Sequence, residues 1–232
     1  MEEMDDGIID LVLGLNTQAL ALLRNDEFDP AMEDLRTALN QMRHLSSSNN
    51  SRSGAQQQQS SLSVRLQSSP PPEEGFYRRV VDSGDVILGQ GFTARWVANT
   101  TTPRQLSVQD TSLLTATLLF NLALTYHLRG VSVTDGSGFT DQRMALHLYQ
   151  HAMGLSLEQF VPLDPTNTIS LLLVAMGNNL CSVAASLGKL EDLRLALEWT
   201  QACCRTVAEH VPFFWLNVTF WNYMGKNPAA AA

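Results

Sequence analysis

His147 and His151 stand one helical turn apart, the spacing that lets two imidazoles reach a single metal ion from one helix face. No HExxH pattern, nearby cysteine pair or third ligand accompanies them, and relative to Ala145, Tyr149 and Ala152 they fall on the outward side. The two histidines therefore read as a solvated face, and no metal is expected. Cys203-Cys204, beside Arg205 and upstream of His210, has the residue types of a thiolate nucleophile and its base. Adjacent helical residues point in different directions, so at most one thiol could serve, and buried packing is the better account. Gly89-Gln90-Gly91 within VILGQGFTARW echoes a glycine-rich phosphate loop. That chemistry needs a strand lysine, yet the first lysine is Lys189, and the HRD and DFG contexts are missing. These glycines read as turn residues. Asn178-Asn179 suits groove or interhelical hydrogen bonds better than chemistry. With no acid–base, metal or nucleophile cluster left, no catalytic residue and no cofactor is assigned, and a non-enzymatic role is expected.

The elements that carry these residues are mostly helices. Ile8, Leu11, Leu15, Ala19, Leu22 and Leu23 recur at a helical period over 7–24. Asp29 as N-cap and Pro30 as first helical residue predict a second helix to about His44, with Ala31, Leu35, Ala38 and Leu39 inward. Further helices are predicted over 107–129, 141–157, 166–187, 191–209 and 212–224, with Gly130–Gly138, Pro162–Pro165 and Gly188 as breaks. Between the two helical parts, residues 45–75 are rich in Ser, Gln and Pro, with QQQQ and PPP runs. Such a segment buries too little apolar area to offset its ordering entropy, so disorder is expected. Residues 76–104 mix apolar pairs with glycine turns and predict an extended arm or short hairpin. The organisation is thus a first helical hairpin at 1–44, the insertion, the arm, helical repeats with a capping helix at 105–225, and a tail at 226–232.

Composition narrows the function classes. A net charge of −8, with only Lys189 and Lys226 as lysines, disfavours phosphate-backbone binding, so no nucleic-acid partner is expected. Hydrophobic content of 44% with 16% charge fits a globular protein with some surface meant to be covered. Three cysteines in apolar helical segments suggest reduced, buried thiols, and the acidic Met1–Asp6 opening is unlike a secretory signal. Phe213–Met224 falls short of the roughly 20 apolar residues a membrane span requires. A soluble, intracellular protein is expected, cytoplasmic with a nuclear location open, and no membrane partner.

Three helix pairs carry a recurring small–large pattern. In the first, Leu15, Ala19 and Leu22 precede the Asp26–Asp29 turn, and Ala31, Leu35 and Ala38 follow. In the second, Leu119, Leu122, Ala123 and Tyr126 lead to Gly130, with Ala145, Tyr149 and Ala152 beyond. In the third, Gly177, Leu180, Cys181 and Ala184 lead to Gly188, then Leu195, Trp199 and Ala202. This order resembles the tetratricopeptide repeat, a two-helix unit that stacks into solenoids. The stretches FNLALTYHLRG, NNLCSVAAS, ALEWTQ and FFWLNVTFWNYMGKNPAAAA resemble more narrowly a group of uncharacterised tetratricopeptide-like proteins abundant in diatoms. The departures are variable linkers, an over-long Gly130–Gln142 turn and a degenerate last repeat.

The resemblance implies an all-α fold of antiparallel helical hairpins stacked as a short solenoid, and a scaffold or adaptor that binds protein. The first helix of each pair would line a groove through Leu13, Asn16 and Leu20, then Thr117, Phe120 and Leu124, then Ala175, Asn178 and Ser182. None is basic, which disfavours capture of an acidic tail and suits an apolar peptide or helix. The groove could instead be filled by the chain's own segment 76–97. Phe213, Phe214, Trp215, Phe220 and Trp221, with Tyr223, make the last predicted helix apolar nearly all round, so it caps the array or, alternatively, joins copies into a structural homo-oligomer.

Overall fold

Two three-residue turns set the geometry of this chain. At the first, helix α1 (Glu3–Arg24) ends with Asp26 in the left-handed region at φ 61°, and helix α2 (Phe28–Asn50) follows. The Glu27 N–H donates to Leu22 O at 3.0 Å and the Asp26 N–H to Leu23 O at 3.2 Å, which satisfies two carbonyls left over at the helix end. At the second, helix α5 (Thr168–Ser186) ends at Gly188, φ 64°, before helix α6 (Leu190–Val207). There Lys189 N–H donates to Ala184 O at 2.8 Å and Gly188 N–H to Ala185 O at 3.0 Å. From the left-handed residue onward the two turns match, down to the bonds from Phe28 to Asp26 and from Leu190 to Gly188, while the residue before it differs: Asn25 bonds to Leu22 and Leu187 to Val183.

The computed structural model describes residues 3–50, 63–68, 78–79, 86–87, 92–97, 106–133, 136–157 and 168–207, with side chains described within 7–45, 106–133, 136–156 and 172–202. Among these residues lie six helices, completed by α3 (Val108–Ser132) and α4 (Gly138–Leu157). Consecutive helices pack on one another throughout, and α3 also touches α1 and α5. Short connections between packed neighbours make each pair antiparallel. The described fold is therefore a stack of helix pairs, with every odd-numbered helix beside the next.

α3 begins at a serine cap: Ser107 Oγ accepts from the Asp110 N–H at 3.0 Å and donates to the Asp110 carboxylate at 2.6 Å. The helix then runs straight through Gly130, which was expected to break it. The glycines mark a helix crossing. A Cβ at Gly138 would lie 2.0 Å from Gly130 O, and one at Gly130 would lie 2.9 Å from Gly138 O. α3 and α4 thus touch backbone to backbone, and the connection shrinks to Val133–Ser137, shorter than the turn read from the sequence. In the third pair Gly177 makes room for a side chain of α6, since a Cβ there would sit 2.2 Å from Thr200 Oγ1.

The core follows the helical period. Ile9, Val12, Asn16, Ala19 and Leu23 on α1 and Ala31, Leu35, Ala38 and Met42 on α2 are all buried. Phe120 and Tyr149 are among the largest fully buried side chains, and each adds about 1.5–3 kcal/mol of apolar burial. α3 is buried without interruption over 116–128, and α5 over 172–184. Neither is an amphipathic surface helix over these spans; both are enclosed from all sides.

Both boundaries of α2 differ from expectation. α2 starts at Phe28, so Asp29 and Pro30 are inside the first turn, where proline's missing N–H costs nothing, and Asp29 is free to pair elsewhere. α2 also continues past His44 to Asn50, into the segment expected to be disordered. Extended backbone is described at Ser63–Ser68 (β1), also in that segment, and at Arg78–Arg79 (β2), Val86–Ile87 (β3) and Phe92–Val97 (β4). β1 pairs antiparallel with β4, Ser63 opposite Val97 and Ser68 opposite Phe92, and β2 pairs with β3. The alternation of Val64 and Leu66 with Arg65 and Gln67 is the period-two pattern of a strand, masked in the composition of the wider segment by serine and glutamine. β4 lies beside α1 and α3, β1 beside α3 and α5, and β3 beside α5.

Candidate functional site

The candidate surface is the face shared by α1, α3 and α5. Asn16 and Leu20 come from α1, Thr117, Phe120 and Leu124 from α3, and Ala175, Asn178 and Ser182 from α5. All eight are buried; Leu13, expected beside them, is half-buried. An open groove would leave such residues wet, so this face is covered in the folded chain.

Polar side chains within it are held by one another. Asn121 Nδ2 on α3 donates to Asn16 Oδ1 on α1 at 2.7 Å, a buried link between the first and second pairs. Asn178 Nδ2 donates to Asn179 Oδ1 at 3.2 Å, and Asn179 Nδ2 donates to the Tyr149 hydroxyl at 3.1 Å. Tyr149 in turn packs against Phe120 with ring centroids 5.6 Å apart. Thr117 Oγ1 donates to its own helix at Leu113 O, 2.8 Å away, while Ser182 Oγ is buried with no partner among the described residues.

His127 sits at the other side of Tyr149, edge-on at 6.0 Å, with no exposed surface and no hydrogen-bond partner at either ring nitrogen among the described residues. Desolvation lowers its pKa from 6.5 to about 3, so the ring is neutral. The same burial raises the Tyr149 phenol, only partly opposed by the hydrogen bond from Asn179. Neither group is poised for proton transfer near neutrality.

Charge at the seam between the pairs is handled by Arg129. Its guanidinium grips the Asp141 carboxylate with two bonds, Nε to Oδ2 at 2.6 Å and Nη2 to Oδ1 at 2.7 Å, and also pairs with Asp29 of α2. Hydrogen bonding to Asp141 holds its pKa above the ordinary arginine value, against the opposing effect of burial. The Tyr126 ring lies between Arg129 at 5.5 Å and Arg36 at 5.7 Å, and Arg36 also donates to the Tyr126 hydroxyl.

The other residues singled out from the sequence fall as follows. His147 and His151 are exposed on α4, the outward placement expected of them, and no group of three or more metal-ligating side chains occurs among the described residues. Cys181 is buried, 3.9 Å from Thr200 Oγ1. The side chains of Cys203 and Cys204, together with His210, Gly89, Gly91, Phe213–Tyr223 and the tail at 226–232, lie outside the described residues. One described segment, Gly7–Arg24, is long and apolar enough to cross a membrane, although its Ile9, Val12, Ala19, Leu20 and Leu23 are spent on packing in this fold.

Asn121, His127 and Arg129 escape sequence reasoning. For Asn121 a signal exists, since an asparagine inside an apolar helical run needs a partner and Asn16 is a second such residue. Arg129 gives none, because its partner Asp29 is distant in the chain. No family model, curated protein or solved structure matches the chain.

Proposed function

We propose that this chain is a non-catalytic protein–protein interaction scaffold, a short tetratricopeptide-like solenoid whose concave face is held closed by its own extended arm. The observation that carries the reading is the covered face of α1, α3 and α5: α3 and α5 are buried on every side over 116–128 and 172–184, and β1, β3 and β4 are their neighbours there. The repeated turn at Asp26 and Gly188 supports a repeat architecture. A partner in this scheme is an apolar peptide or helix that displaces the arm, so binding is slow and costs the energy of releasing the ladder.

A photo-crosslinking amino acid at Leu13, the half-buried member of the face, tests both halves of the proposal. Intramolecular crosslinks to 63–97 in the purified protein, replaced in native extract by a crosslink to another polypeptide that excess unlabelled protein competes away, are the expected results. Crosslinks confined to α2 and α3 in both settings overturn it.

A further inference from the structure

We propose that a cavity of about 540 Å³ between α2, α3 and α4 binds a small amphiphilic anion, a carboxylate head on an apolar body. None of the eight residues of the face described above lines this cavity, so the site stands apart from the interaction reading.

The sequence builds it from three helical stripes. On α2, Arg36, Leu39 and Arg43 recur at i, i+3 and i+7 and share one face. On α4, His151 and Leu155 are one turn apart, and on α3 Leu119 closes the back. Arg36, Arg43 and His151 stand at the exposed rim, while Met42 and Leu119 are buried at the floor. Polarity therefore changes with depth, from guanidinium at the mouth to aliphatic carbon inside.

Charge selects the ligand. The chain has 23 acidic against 15 basic residues, yet the described residues lining this cavity include two arginines, one histidine and no carboxylate. The Arg36 guanidinium, in a lining without carboxylates, favours an anion, and its planar fork suits a carboxylate. Arg36 is held in place by Tyr126, stacked 5.7 Å from the ring centroid and bonded to its hydroxyl, so little side-chain entropy is lost when the head arrives. The volume falls in the range of small-molecule sites, and too little apolar surface is offered for a long peptide.

Calorimetric titration of the full chain with decanoate, and with decanol as the neutral control, tests the site. Saturable one-to-one binding of decanoate, at least tenfold tighter than decanol, is expected. Arg36→Gln should weaken decanoate about tenfold and leave decanol unchanged. Arg194→Gln, on the outer face of α6, should change neither. Leu155→Trp, at a half-buried position of the lining, fills the cavity and should remove binding while the protein still melts cooperatively, which keeps the test valid if the glutamine variant misfolds. Absence of saturable heat, equal affinity for the alcohol, or full binding by Leu155→Trp overturns the assignment.

Discussion

Replacing His127 with leucine should flatten the acid side of this protein's stability curve. The imidazole titrates at 6.5 when exposed and near 3 in the fold, because burial disfavours its charged form. The sign follows from proton binding: below pH 6.5 the unfolded chain takes up a proton that the native state refuses, so unfolding becomes easier as pH falls. Each unit of pH in that window is worth about 1.4 kcal/mol, so His127 alone should remove about 2 kcal/mol by pH 5 and about 3 kcal/mol by pH 4, levelling off near pH 3. Neither ring nitrogen has a hydrogen-bond partner among the described residues, so an apolar side chain of similar size gives up nothing polar in exchange. Urea unfolding of wild type and His127→Leu at pH 7.5, 6, 5 and 4 measures the difference directly. The two should converge or favour the variant slightly at pH 7.5 and separate steadily toward pH 4. Parallel curves over that range would refute the buried, neutral histidine and with it the packing drawn around Tyr149.

Other perturbations probe the turns, the crossing points and the seam. Asp26→Gly should stabilise by about 0.5–1 kcal/mol and Gly188→Ala should destabilise by about 1 kcal/mol, since both positions are left-handed; urea midpoints of the two variants must move in opposite directions. Gly177→Ala should cost about 1–3 kcal/mol by pressing on Thr200 Oγ1, and Thr200→Ala in the same chain should recover part of that loss in a double-mutant cycle. Arg129→Ala should lower the thermal midpoint by the equivalent of about 1–3 kcal/mol, because a part-buried bidentate pair with Asp141 is lost, whereas Arg194→Ala, in a solvated pair with Glu191 and Glu198, should leave it unmoved. Tyr149→Phe should cost about 1–2 kcal/mol by stranding the Asn179 amide, and Asn179→Leu in the same background should not add fully to that cost.

The helices were readable from sequence because their inner stripes are strictly periodic, as in Ala31, Leu35, Ala38 and Met42. Their ends were readable where a local device fixes them, such as Ser107 at the start of α3 and Gly188 at the end of α5. Errors arose where one residue type serves two purposes. Gly130 looks like a terminator but is a contact point, and only the position of Gly138 across the crossing distinguishes the two. Asp29 looks like a cap but serves Arg129, a tertiary demand that local spacing does not encode. Of the candidate surface, helix membership was legible from the apolar pattern, whereas its closure by the chain's own segment 76–97 stood only as one of two readings. Whether a face is open depends on which distant segment lies against it, and the β1–β4 pairing joins residues on both sides of a polar stretch that dominates the local composition. The cavity at Arg36, Arg43 and His151 was equally hidden, since it arises from three helices that no single window of sequence contains.

The glycine crossing of α3 on α4 has a mechanical consequence. Backbone contact at Gly130 and Gly138 leaves no side chain between the helices at the turn end of the pair, so sliding of α3 past α4 is blocked there. Across the joint with the third pair, the connections described are side-chain bonds: Gln150 to Asp192 at 3.0 Å, Ser186 to Gln142 at 3.1 Å and Asn179 to Tyr149. Such bonds can lengthen or re-form with small rotations. The joint to the first pair is built the same way, through Asn121 to Asn16 and Arg129 to Asp29, so relative motion of the pairs falls at these two joints and not at the α3–α4 turn.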